Sequence, residues 1–206
     1  YTGTTYLNQG TLLLNKGSGT GGVNAIAGAL IVGDHNGGQD ADVLRLLQPN
    51  QIVDTTSYSV SVYASGLWDL NGKDETLTGP SGGGLILYPG PTWSARIDTQ
   101  GAAAIPGTLN LGNTTAGTGR TNTASTGTYT TASPGARISG KINLGSLQRQ
   151  FDVIDNGWNI RELVIDAAIS GTAGFTRSGS GLFVINSDNS TTLGGTVTLQ
   201  SGGGLV

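Results

Sequence analysis

The chain has 206 residues, of which 36 are glycine, none is cysteine and none is methionine, and its formal net charge is −3. That length suits one domain or one segment of a longer array. The lack of cysteine excludes disulfide frameworks, thiolate zinc sites and cysteine nucleophiles. The ten Lys and Arg are scattered, which excludes the basic stripe of a nucleic-acid binder. Charged residues make up only 11%, so the surface must be built from Ser, Thr, Asn, Gln and Gly. No 18-residue apolar run exists, so nothing reads as a membrane-spanning helix. No signal peptide is visible, and a cleaved one leaves no trace. The chain opens at Tyr1 without a methionine and reads as a processed or excised part of a longer polypeptide.

From the start, Gly3 to Leu14 is two short strand-like runs hinged at Gly10. Its second half, Gly-x-apolar-x-apolar, returns at Gly28–Val32, Gly66–Leu70, Gly83–Leu87, Gly107–Leu111, Gly140–Leu144 and Gly181–Ile185. A shortened copy closes the chain at Gly203–Val206. A repeat near 20 residues, sometimes doubled, is the reading of these steps, and such a period points to a solenoid. In Gly107–Gly112, Leu109 and Leu111 share one face and Thr108 and Asn110 the other. Gly140–Gly145 repeats this with Ile142 and Leu144, and Gly66–Leu70 with Trp68 turned inward.

Between these copies, Ala41–Leu47 has room for one or two helical turns before Pro49. Elsewhere Thr, Val, Ile and Gly favour strands and corners. Asn36-Gly37, Asn71-Gly72 and Asn156-Gly157 are hairpin signals, which keeps an antiparallel sandwich in view. Asn113 to Ser133 is crowded with threonine and reads as a polar insertion on one coil. Asn113-Thr114-Thr115 and Asn189-Ser190-Thr191 fit the N-glycosylation pattern. Near the end, Gly195–Gly202 aligns with Gly3–Gly10 at a constant offset of 192. The segment therefore presents matching ends or one period of a larger repeat.

Three passages resemble the autotransporter-associated β-strand repeat of large bacterial surface and secreted proteins. They are Tyr1-Thr2-Gly3-Thr4-Thr5 through Leu12, Ala41–Leu47 through Ile52, and Ser65–Gly72. Trp68 stands where that family usually has a smaller apolar residue. Ile165–Gly171 is similar in style; Tyr88–Ala104 and the Thr-rich stretch fall outside the likeness. The resemblance implies a right-handed parallel β-helix, secretion, and a structural or adhesive role. It carries over no catalytic residue.

The candidate sites are few. Gly17–Gly22 fits G-x-G-x-x-G, but a dinucleotide site needs a helix next, and Ala25–Val32 reads as strand. Asp34–Asp42 gathers Asp34, Asp40, Asp42 and the single histidine, His35, without EF-hand spacing; a solvated turn is expected. Asp152 and Asp155 point to opposite faces, whereas a glycosidase pair must converge. Asp54, Asp69 and Asp98 are further carboxylates for stacking across coils. Tyr88–Trp93 is the best sugar-stacking patch. No catalytic, cofactor or metal residue is assigned.

The reading is thus an all-β chain with little or no helix, 1–206 as one right-handed, single-stranded parallel β-helix of about eight to ten coils. The Thr-rich stretch at about 113–133 is an insertion. Its inner column is expected to include Leu12, Leu30, Trp68, Leu70, Leu109, Leu111, Ile142, Leu144, Phe183 and Ile185. The expected role is a non-enzymatic structural segment, extracellular or at the cell surface. Its two ends are covered by more of the same chain or by another copy, as in a fibre. The alternative is an adhesin that touches glycans or matrix.

Overall fold

The computed structural model describes residues 1–17, 24–54, 57–77, 84–111, 120–121, 135–157, 159–200 and 202–206. Among them are nineteen strands and no helix. The first ten are β1 (Thr5–Leu7), β2 (Gly10–Leu14), β3 (Leu30–Val32), β4 (Asp42–Leu46), β5 (Val60–Tyr63), β6 (Gly66–Asp69), β7 (Glu75–Leu77), β8 (Leu85–Tyr88), β9 (Arg96–Asp98) and β10 (Leu109–Leu111). Then come β11 (Arg120–Thr121), β12 (Ala136–Ser139), β13 (Lys141–Asn143), β14 (Arg149–Val153), β15 (Leu163–Ile165), β16 (Ala168–Ser170), β17 (Gly174–Ser178), β18 (Phe183–Ile185) and β19 (Thr196–Leu199). Most of the Thr-rich stretch, and Ser18 to Gly22 of the glycine motif, lie outside the described residues.

The strands form four sheets, and every described strand pairing is parallel. The sheets run β1-β3-β5-β8, β11-β14-β17-β19, β7-β10-β13-β16 and β2-β4-β6-β9-β12-β15-β18. β8 lies against β11, so the first two sheets follow one another along one side of the molecule. The seven-stranded sheet makes a second side and the remaining sheet a third. Chain order visits first, second and third side in turn. Bridges Ile26↔Ile52 and Gly171↔Leu193 prolong the third side, and Phe183↔Leu205 the second.

Alternation explains the strands. In β4, Asp42, Leu44 and Leu46 are buried while Val43 and Arg45 are half-exposed. Stacking then aligns like with like. The second side's inner column runs Leu12, Leu44, Trp68, Ile97, Ile138, Ile165 and Ile185. The first side stacks Leu30, Val60 and Leu85 beside Val32, Val62 and Leu87. The third stacks Leu109, Ile142 and Ile169. These residues belong to one hydrophobic cluster, with Leu12, Leu111 and Ile185 at its margin. Every residue named above for the expected inner column is in it or packed against it.

Three expectations change. Ala41–Leu47 holds β4 and no helical turn, because its even positions fill the core and its backbone pairs with both β2 and β6. The repeat near 20 residues holds only towards the C-terminus, with 20 between Leu163 and Phe183 and 22 between Gly174 and Thr196. Other strand partners are 24 to 41 residues apart. The glycine motif opens strands on all three sides, so its spacing mixes sides and does not measure one turn. Finally, Asn71-Gly72 does form a tight turn, with φ of 50° and 72° and Lys73 N–H donating to Leu70 O at 2.8 Å. It turns the chain from β6 on the second side to β7 on the third, so the hairpin reading fails at this position.

Candidate functional site

Most of the carboxylates identified from sequence are held by the fold, while Asp54 is exposed. Register places Asp69 beside Asp98 on neighbouring strands, the juxtaposition a carboxylate pair would need. Asp69, however, accepts from Arg45 Nε at 2.7 Å and from Asn71 N–H at 2.8 Å. Asp98 accepts from Gln100 N–H at 3.0 Å. The same two-residue loop recurs at Asp34 with Asn36, Asn143 with Gly145, Asp155 with Gly157 and Asp188 with Ser190. An Asx turn of this kind supplies a corner with the acceptor that the ladder no longer provides. Asp152 accepts from the Ser178 hydroxyl at 3.0 Å.

Asp34, Asp40 and Asp42 diverge. Asp34 closes its own turn, and Asp40 pairs with Arg96 and Gln39. Asp42 points inward between Gly10 and Gly66 of the adjoining strands. Burial pushes its carboxyl above the ordinary range, with the neighbouring Ser65 hydroxyl working the other way. Among the described residues no three His, Asp or Glu side chains are grouped to hold a metal.

Sequence reasoning missed a set of buried polar side chains that tie one turn of chain to the next. Glu75 lies inward, and its carboxylate accepts from Gln51 N–H at 2.7 Å and Ile52 N–H at 3.3 Å. It stands in for the ladder where the third side begins. Burial is the main cause of a pKa pushed up to about 7, against the lowering effect of those two amides. Gln51 in turn accepts from Lys16 N–H and donates to Lys16 O and Pro49 O. Ser65 Oγ accepts from Asp34 and His35 N–H, and Thr99 Oγ1 from Lys141 N–H. Asn189, the second glycosylation candidate, accepts from Ile169 N–H at 2.6 Å. Its amide donates to Ser187 O, so its side chain is already committed to the fold. No signal in a single sequence separates these residues from exposed polar ones.

Two surface features are left without such a structural explanation. On the first side His35, Tyr63 and Tyr88 stack, with ring centroids 4.8 Å apart in each step. That distance is the strand spacing itself. Desolvation lowers the His35 pKa despite nearby Asp34. Tyr88 of the sugar-stacking patch belongs to this ladder, and Trp93 O accepts from Gly90 N–H two residues beyond it.

The second feature is the pair of free strand edges. β19 is exposed at all four positions, and among the described strands β1 and β2 each have one unpaired side in their sheets. Of nine large hydrophobics classed as exposed among the described residues, six lie at Tyr1, Tyr6, Leu13, Val197, Leu199 and Val206. Edges left open in soluble proteins are normally blunted with charge or proline. Residues 1–15 and 189–206 contain no charged side chain and no proline. The chain matches no protein-family model, no curated protein and no solved structure.

Proposed function

We propose that this chain is a right-handed parallel β-helix of about eight turns that serves as a non-enzymatic structural segment of a secreted or cell-surface protein. Three sides visited in constant order, all by parallel pairing, support the solenoid. The strong right-handed preference of parallel crossovers supports the hand. The resemblance to the autotransporter-associated repeat belongs to the same proposal. In this reading the buried polar side chains and Asx turns serve the coil corners.

The observation that carries the function is the pair of uncharged, apolar strand edges at opposite ends of the sheets. Such edges are templates for further strands, and a heterologous contact that does not close by rotation builds a filament. Electron microscopy of the purified chain tests this. Filaments support the structural reading; dispersed particles at every concentration reject it. The His35–Tyr63–Tyr88 ladder favours a second reading, an adhesin that stacks sugars. Glycan-array binding by dispersed particles, lost in Tyr63→Ala with Tyr88→Ala, distinguishes it.

A further inference from the structure

We infer that the partner of the exposed β19 edge is β1 of a second copy of this chain, paired in parallel at an offset of 192. This rests on the end-to-end reading above and adds the joint's register. Three observations carry it.

The first is side-chain direction. β19 lies on β17, with Val197 opposite Phe175 and Leu199 opposite Arg177. Phe175 and Arg177 are both 1% exposed, so Val197 and Leu199 point inward. They are nevertheless 43% and 58% exposed, because no described residue covers them. β1 lies on β3, with Thr5 opposite Leu30 and Leu7 opposite Val32. Leu30 and Val32 are fully buried, so Thr5 and Leu7 also point inward. The offset of 192 puts Thr5 on Val197 and Leu7 on Leu199, inward on inward. An odd shift would turn the apolar set outward.

The second is Gly3. Gly28 stacks on Gly3, and a β-carbon there would collide with the Gly3 and Thr2 carbonyl oxygens. A β-carbon on Gly3 would meet only the Tyr1 ring, so the chain itself does not require glycine there. The offset of 192 puts Gly195 under Gly3, the same close approach one strand earlier.

The third is the second side. Leu205 pairs with the buried Phe183 and points inward, as Leu12 does opposite Leu44. The corner from Leu199 to Leu205 is one residue longer than that from Leu7 to Leu12, so on this side the offset is 193: β2 of the second copy seats Leu12 over Leu205 and the exposed Leu13 over the exposed Val206. On the third side no described strand or bridge follows Leu193, so the joint is made on two sides. Each copy then adds eight strand spacings of about 4.8 Å, an axial repeat of roughly 38 Å.

The test uses engineered cysteines, since the chain has none. Tyr6 and Thr198 are outward, exposed and opposite one another in this register. Their expected separation of about 4.8 Å falls within the roughly 4.4–6.8 Å that a disulfide spans. The full chain with Tyr6→Cys and Thr198→Cys is oxidised and run on a non-reducing gel. Asn8→Cys with Thr198→Cys is the control, shifted by two residues. A ladder of linked oligomers from the first pair alone supports the register. A ladder from the control, or from both, overturns the register but leaves end-to-end stacking. No ladder and no filaments from either variant or from the unmodified chain overturns both. Leu199→Asp keeps the monomer folded, because Leu199 is exposed in it. It should raise the protein concentration needed for assembly roughly 100-fold; an unchanged threshold overturns the joint.

Discussion

Glu75 shows how one buried residue sets pH behaviour. An unfolded glutamate releases its proton near its ordinary value of 4.5, whereas in the fold Glu75 keeps it to about 7. Between those values the native state binds more protons than the unfolded one. Stability therefore falls as pH rises from about 4.5 to about 7, by on the order of 3 kcal/mol from this residue. Asp42 and Glu162 are also raised by burial and act in the same direction. Urea titrations from pH 4 to 8 on the native chain and on Glu75→Gln isolate the Glu75 share: the variant's stability should fall less. A difference between the two that does not change with pH would refute the assignment. Ile142 tests the core in the same way. It is 1% exposed and sits between Leu109 and Ile169. Ile142→Asp places an unpaired charge there and should cost more than about 3 kcal/mol, read as a large fall in the urea midpoint.

At the scale of elements, the strands are short and hold by stacking. β1 has three residues and, among the described strands, one partner, β3. Gly28 sits under its approach, so Gly28→Ala should lift β1 from β3. Amide exchange should accelerate at Thr5, which donates to Ala29 O, and at Gly33, which donates to Leu7 O. Protection of the amides between β5 and β8 should hold, since opening in stacked arrays is local. Uniform loss of protection would mean that the first strands carry the whole fold. The strand periodicity of β10 and β13 was legible in their glycine-flanked Leu-Asn-Leu and Ile-Asn-Leu patterns. The strand β4 was not, because Asp-Val-Leu-Arg-Leu suits a helix equally well until neighbours on both sides supply the ladder. The corner at Asn71-Gly72 was equally ambiguous, since the same pair of left-handed residues serves a hairpin or a corner between two sheets.

For the whole molecule, the two ends are apolar and polar-neutral while the charges lie between them. The proposed assembly through these ends should depend little on ionic strength, since surface ion pairs are what salt screens. Light scattering in about 50 mM and about 500 mM sodium chloride should show similar assembly, although the screening length falls from about 14 Å to about 4 Å. A sharp loss at high salt would point to the charged flanks, such as Arg45–Asp69 and Arg137–Asp166, as the contact instead.

Local chemistry alone determined the all-β character, the inward residues of most strands and the likeness of the two ends. Alternation and glycine placement act over a few residues, and a sequence displays them directly. Tertiary structure alone decided which strands pair, how long each turn is, and which polar groups are buried. Those depend on residues 20 to 41 apart meeting in one register. Asp69 shows the difference: as a sequence it was one half of a carboxylate pair, and only its contacts with Arg45 and Asn71 made it a corner.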